Sequence, residues 1–126
     1  MSLFSTGLFT SHSGRLLGWR INAEALTYAD VKTLAAAAAR ILPPFSFVHG
    51  IPKGGLPMAE QMVGHHTAYT RRLLIVDDVL TTGASMEEVR SRFSQSWPEV
   101  IGLVIFARGP CPDWVTPIFT LNDRMV

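Results

Sequence analysis

A single cysteine, Cys111, rules out a disulfide within the chain, and with it a small oxidised scaffold. It stands in a turn between Gly109-Pro110 and Pro112 with no histidine near it in sequence, and is read as inert. Charge is also sparse: Asp, Glu, Lys and Arg make up 17% of residues, the net charge is +1, and no block of one sign occurs. A chain that tracks a nucleic-acid backbone shows a basic stripe, so nucleic acid is not an expected partner. No apolar run approaches the roughly 18 residues of a membrane span. Residues 1–10 lack the basic start and long apolar centre of a signal peptide, so no membrane association is expected and the cytoplasm is the expected location. Neither Gly-x-x-x-x-Gly-Lys-Ser/Thr nor Gly-x-Gly-x-x-Gly occurs, which removes the P-loop and dinucleotide-binding classes.

Apolar residues are plentiful, at 48% of 126 residues with a mean hydropathy of +0.24. That is one domain's worth of chain with more apolar surface than a small core absorbs, and a homodimer interface is its natural destination. Residues 4–22 read as irregular or short extended structure, punctuated by Gly7, Gly14 and Gly18. Thr27 and Asp30 have capping-box spacing ahead of residues 31–42, where five consecutive alanines favour helix. Pro43-Pro44 stops that helix. An apolar strand at 45–49, a glycine-rich loop at 50–55 and a short helix at 56–63 follow. A second strand spans 71–76, a helix 85–94, a third strand 100–107 and a last one 117–121. Such alternation predicts an α/β fold: a twisted parallel sheet flanked by helices, with right-handed crossovers. Residues 1–126 read as one domain, residues 1–25 forming a short hood.

Two loops leave strands in a way that calls for a ligand, and parallel sheets bind ligands at the carboxyl ends of their strands. After the apolar residues 73–76 come Asp77 and Asp78, then Thr81, Thr82, Gly83, Ala84 and Ser85 running into a helix. Small hydroxylic residues and a glycine at a helix start let backbone N–H groups converge on an anion. The two acids cannot face a phosphate; they suit sugar hydroxyls or a phosphate-bound cation. The other loop holds Pro52, Lys53, Gly54 and Gly55, with glycines for close backbone approach and one cation.

The segment 73–86 resembles the phosphoribosyl pyrophosphate (PRPP) motif of type I phosphoribosyltransferases, whose Rossmann-like fold is the one expected here. The resemblance implies that Asp77 and Asp78 hold the ribose 2′- and 3′-hydroxyls and that Thr81 through Ser85 hold the 5′-phosphate. It implies that Pro52, Lys53, Gly54 and Gly55 form the pyrophosphate loop. Phe9-Thr10-Ser11-His12-Ser13-Gly14-Arg15, followed by Trp19 and Asn22, is similar to the N-terminal segment of orotate phosphoribosyltransferases, which places Phe9 near the base. The tail, Ala107-Arg108-Gly109 and then Pro117 to Asp123, matches as well. In those enzymes an arginine after the corresponding strand contacts the base carboxylate, which makes Arg108 the candidate; the bland reading is a surface arginine at a strand end. Thr81 occupies the place where 6-oxopurine enzymes carry an aspartate. Threonine is no general base at neutral pH, so a base that arrives anionic is favoured. The implied activity is Mg2+-dependent transfer of phosphoribose from PRPP to a small nitrogenous base, with Asp77 and Asp78 the candidate catalytic residues. Magnesium would ride on PRPP and water, with no direct protein ligand.

One departure bears on turnover. The orotate enzymes carry a mobile basic segment between the two loops, whereas only residues 65–72, with no lysine, remain here after the short helix. Such a stub makes a poor lid. The alternative implied is a non-catalytic PRPP or nucleotide sensor. His65-His66 is read as a solvent-exposed loop pair and not a metal site.

Overall fold

A computed structural model describes residues 2–10 and 16–121, with residues 7–10 and 16–19 described by their backbone. Residues 11–15 and 122–126 include part of the Phe9–Arg15 match and all of Asn122-Asp123, which lie outside the described residues. The elements run β1 (Phe4–Thr10), β2 (Leu16–Ile21), a single 3-10 turn (Ala23–Ala25), α1 (Tyr28–Ile41), β3 (Phe47–Gly50), α2 (Leu56–Val63), β4 (Arg72–Leu80), α3 (Ala84–Phe93), β5 (Glu99–Ala107) and β6 (Val115–Thr120). Strands β3, β4, β5 and β6 form a parallel sheet in that order, while β1 and β2 pair antiparallel as a separate ribbon. The expected parallel sheet with flanking helices is what the chain builds.

Local chemistry sets the boundaries. Thr27 Oγ1 accepts from the Asp30 N–H at 3.1 Å, and Asp30 Oδ2 accepts from the Thr27 N–H at 2.8 Å. This reciprocal box satisfies two donors that helix geometry leaves without partners. At the other end, Leu42 is extended (φ −83°, ψ 149°), as the residue before Pro43 must be. The alanine run does more than favour helix. Ala35 and Ala38 face inward at 0% and 1% exposure, and their size lets α1 sit close to α2 and the sheet.

The sheet carries a core on each face. Val31, Ala35 and Ala38 of α1 and Met58 and Met62 of α2 pack on Leu74, Val76, Leu103 and Ile105. Met86 and Val89 of α3 pack on Leu73, Ile75, Val104 and Val115. All four of Leu73, Leu74, Ile75 and Val76 are 0% exposed, which is why this strand reads as an unbroken apolar run.

Three expectations need correction. First, residues 4–22 contain a paired ribbon. Its register shifts between Thr6 and Phe9, and a bulge that inserts one residue destroys the period-two pattern by which a strand is recognised. Second, β4 does not stop at Val76 but runs to Leu80. Third, the crossovers are not both right-handed. Helices α2 and α3 cover opposite faces although the strand order is sequential, so the two connections differ in hand. Val76 turns its side chain to the α1/α2 face while its carbonyl accepts from the Ile51 N–H on the β3 side. For an L-residue in a strand this makes β3–α2–β4 the left-handed crossover and β4–α3–β5 the usual right-handed one. The physical reason is that the buried residues of α2 complete the core that α1 opens, so α2 must share α1's face.

Candidate functional site

The site forms where the sheet's strand tips are uneven. Strand β3 ends at Gly50, paired with Val76, while β4 continues beside β5 alone. Asp77 and Asp78 occupy this overhang, both half-buried. Asp77 Oδ1 accepts from the Asp78 N–H and Asp78 Oδ1 from the Val79 N–H, each at 2.8 Å. These short local bonds fix both carboxyls without using distant partners. Burial, followed by the hydrogen bond and charge of Asp78 alongside, pushes Asp77 up to about 8, against the pull of the Asp78 backbone N–H. The ligand-free cleft therefore favours the neutral form of the Asp77 carboxyl.

The glycine loop lies directly against these acids. The Ile51 N–H donates to the Val76 carbonyl at 2.8 Å, and the Gly55 N–H to the Ile51 carbonyl at 2.9 Å, which ties the loop to β4. A Cβ on Gly54 would stand 2.5 Å from Asp78 Cγ and 2.8 Å from its Oδ1. A Cβ on Gly55 would stand 2.8 Å from the Ile51 carbonyl oxygen and 3.0 Å from the Asp77 Cα, and would strike the Val76 carbonyl. Only glycine fits at either place, so two segments separated in sequence form one surface. The Pro52–Lys53 peptide is cis, and Lys53 is exposed at the turn.

Thr81 through Ser85 close the third side. Gly83 caps α3 in the left-handed region (φ 85°, ψ 2°), a conformation that costs glycine little. Thr82 Oγ1 accepts from the Ala84 N–H at 3.3 Å. The first turn of α3 thus presents backbone donors at the positive end of a helix dipole. Helix α3 is pinned from outside: Trp114 Nε1 donates to Glu87 Oε1 at 2.8 Å, and the Arg90 guanidinium lies 4.9 Å from the Trp114 ring centre.

The three segments line one cleft of about 1090 Å³. Pro52, Lys53, Gly54, Asp77, Asp78, all five residues from Thr81 to Ser85 and Arg108 reach it; Gly55 sits beneath, packed on Val76. Arg108 is 4% exposed, which excludes the reading of it as a surface arginine, and its N–H donates to the Leu80 carbonyl at 2.9 Å. Phe9 pairs with Leu17 in the ribbon, but its side chain is outside the described residues. Cys111 is half-buried beside the α3 core, where burial pushes its thiol up. His65 and His66 are exposed, and no group of three metal-ligating side chains occurs among the described residues. No helix of the described residues is long and apolar enough to cross a membrane.

Sequence reasoning missed one wall. Arg20, Ile21 and Glu24 from the ribbon end, with Val31, Met58 and Ile105, also line the cleft. The available signal was a lone charge, Arg20, inside the otherwise apolar stretch 16–21.

No family model matches the chain, and no curated protein matches it by sequence. Solved structures do. Orotate phosphoribosyltransferase from Aeropyrum pernix superposes with a TM-score of 0.72 at 22% identity, covering 94% of this chain and 88% of that one. UMP synthase of Leishmania donovani gives 0.74 at 19% identity, over 94% of this chain but 34% of that longer one. Purine phosphoribosyltransferase from Pyrococcus horikoshii Ot3 gives 0.55 at 21% identity, over 77% and 86%. Identities this low establish shared architecture. The chain therefore has the type I phosphoribosyltransferase fold, of the kind found in orotate phosphoribosyltransferases.

Proposed function

We propose that this chain binds PRPP across its strand tips and transfers the phosphoribosyl group to an anionic, orotate-like base, releasing pyrophosphate. The observation that carries the reading is the packing of Gly54 against the Asp78 carboxylate. It brings a backbone-lined loop for a diphosphate against two acids suited to sugar hydroxyls, with a helix N-terminus for the 5′-phosphate on the other side. Those three recognition elements, in that order, match the charge layout of PRPP. Asp77 and Asp78 accept from the ribose hydroxyls, Thr81 through Ser85 hold the phosphate, and Pro52 through Gly55 hold the departing diphosphate. Carboxylate acceptors at the ribose also favour the positive charge that develops at C1 as its bond to the diphosphate oxygen breaks and a bond to the base nitrogen forms. Neighbouring carboxylates are hard oxygen donors, which suits a Mg2+ carried in on the diphosphate and water; the ion would neutralise the charge of the leaving group. Arg108 takes the base carboxylate in a planar fork. Exposed apolar residues such as Ile41, Phe47, Leu56 and Val63 offer contact area for a second copy.

A sensor that binds PRPP without turnover is the second reading, favoured by the short connection between α2 and β4. Pyrophosphate release from PRPP and Mg2+, assayed with orotate, uracil, adenine, guanine, hypoxanthine and nicotinate, separates the two. Turnover with orotate supports the enzyme; silence with all six beside tight PRPP binding by calorimetry moves the assignment to the sensor. Asp77→Asn with Asp78→Asn should weaken PRPP by a few kcal/mol, about the worth of two charge-assisted hydrogen bonds. Undiminished binding by the folded double variant would sink the roles given to these acids.

A further inference from the structure

The wall that the ribbon contributes is built around a buried amide. Asn22 is 4% exposed. Its Nδ2 donates to the Ser2 carbonyl at 2.8 Å and to Ser5 Oγ at 2.6 Å, and its Oδ1 accepts from Arg20 Nε at 2.7 Å. Asn22 thus ties both ends of the ribbon together and aims the Arg20 guanidinium. The ion pair with Glu24, at 3.9 Å, joins two groups that are 51% and 59% exposed, and such a pair holds a side chain in place only weakly. Of these two contacts, the buried amide is the one that orients Arg20.

Leu26, Val31, Met58 and Ile105 give this end of the cleft apolar walls, suited to the faces of a flat heterocycle. Lys53, Arg20 and Arg108 are its cationic side chains among the described residues. Lys53 belongs to the loop beside Asp78, which leaves two guanidiniums for the compartment that holds the base. An orienting amide on one and near-complete burial of the other mark both as placed groups. Two placed guanidiniums between apolar walls suit a flat ligand that carries negative charge.

Resting on the PRPP reading, we infer that Arg20 is a specificity-determining residue: with Arg108 it brackets the base, so the aglycone accepted is an anionic, carboxylate-bearing heterocycle. Glu24, within reach of Arg20, competes for the same guanidinium when the cleft is empty.

The test is calorimetric titration of the whole chain with PRPP, orotidine 5′-monophosphate and uridine 5′-monophosphate, the last two differing by the carboxylate. In Arg20→Gln the orotidine nucleotide should weaken about tenfold or more, the loss of charge-assisted bonds, while PRPP and the uridine nucleotide change less than about twofold. Arg20→Lys, which keeps the charge but loses the fork, should recover part of the loss. Glu24→Gln should move the other way and tighten the orotidine nucleotide. A purely structural Arg20–Glu24 pair predicts that Arg20→Gln and Glu24→Gln act alike, lowering Tm and weakening every ligand together. That pattern, or equal loss for the two nucleotides in Arg20→Gln, overturns the inference while PRPP binding by the parent chain still stands. A parent chain that binds no PRPP overturns the proposed function, and the inference falls with it.

Discussion

Replacing Asp77 by Asn should make the protein more stable and less able to bind PRPP. Asp77 is pushed up to about 8 by burial and by its neighbour Asp78, from the ordinary carboxylate value of 3.8. The folded chain therefore keeps a proton that the unfolded chain releases above about pH 4. Where the folded state binds more protons, stability falls as pH rises. The loss begins near the unfolded value, grows through the neutral range and levels off above about 8. At pH 7 the gap from 3.8 spans about three units, or roughly 4 kcal/mol at 1.36 kcal/mol per unit. Asp77 is only partly buried, so water screens part of this and about half of it, roughly 2 kcal/mol, remains. Asparagine has the shape of the protonated acid and retains an oxygen to accept from the Asp78 N–H.

Asp77→Asn should accordingly gain about 2 kcal/mol at pH 7. At roughly 2.1 cal/mol/K per residue of unfolding entropy over 126 residues, that is a rise in Tm of about 8 °C. The gain should shrink towards zero near pH 4, where both states of the parent chain are protonated. Thermal unfolding from pH 4 to 9 follows the difference directly. A Tm gap that is flat with pH, or negative at pH 7, would refute the placement of Asp77 in a site that opposes its charge. The trade is the expected one for a recognition group held ready in the absence of its ligand.

The same proton should appear in ligand binding: if PRPP needs ionised Asp77, close to one proton is released per PRPP bound at pH 7, and its affinity rises with pH up to about 8. Calorimetry in buffers of different ionisation enthalpy reads that proton; none released would separate Asp77 from the sugar. Gly54→Ala should lose most PRPP affinity and cost about 1–3 kcal/mol of stability, because the new methyl meets the Asp78 carboxylate; an affinity within twofold of the parent would contradict the packed loops. Gly83→Ala places a side chain at φ 85° and should cost about 1–2 kcal/mol in urea unfolding, with weaker binding of inorganic phosphate. Thr27→Ala should cost about 1 kcal/mol of stability through loss of the capping box and leave PRPP affinity unchanged, since neither Thr27 nor Asp30 lines the cleft.

Much of this was legible in the residues, for identifiable reasons. The helix at 56–63 and the strand within 71–76 carry strong local signals: a proline tolerated in a first turn, and four consecutive residues buried on both faces. The acids and the Thr81–Ser85 turn were legible because a polar pair breaking an apolar strand has no structural motive. What escaped was non-local. The ribbon was hidden by its bulge between Thr6 and Phe9. Arg20 could not be assigned to the cleft because the amide that aims it, Asn22, donates its other bonds to Ser2, just ahead of β1, and to Ser5 on that strand. That Arg108 is buried is a matter of tertiary packing, and no local pattern encodes it.

The left-handed crossover was the least legible feature, and the site explains why the chain tolerates it. Two demands act on the segment between β3 and β4. Gly54 and Gly55 must lie against Asp78 and the Val76 carbonyl, which requires β3 to be the immediate neighbour of β4. Helix α2, which begins directly after Gly55, must bury Met58 and Met62 beside Ala35 and Ala38 of α1. A right-handed connection to an adjacent β4 would carry α2 to the opposite face, where Met86 and Val89 of α3 already fill the space. Meeting both demands forces the rare hand, whose cost is a modest preference in strand twist and not a steric prohibition. The residues that fix the topology are thus those that line or underlie the cleft. A chain relieved of the need to seat a glycine loop against Asp78 would have no reason to keep it.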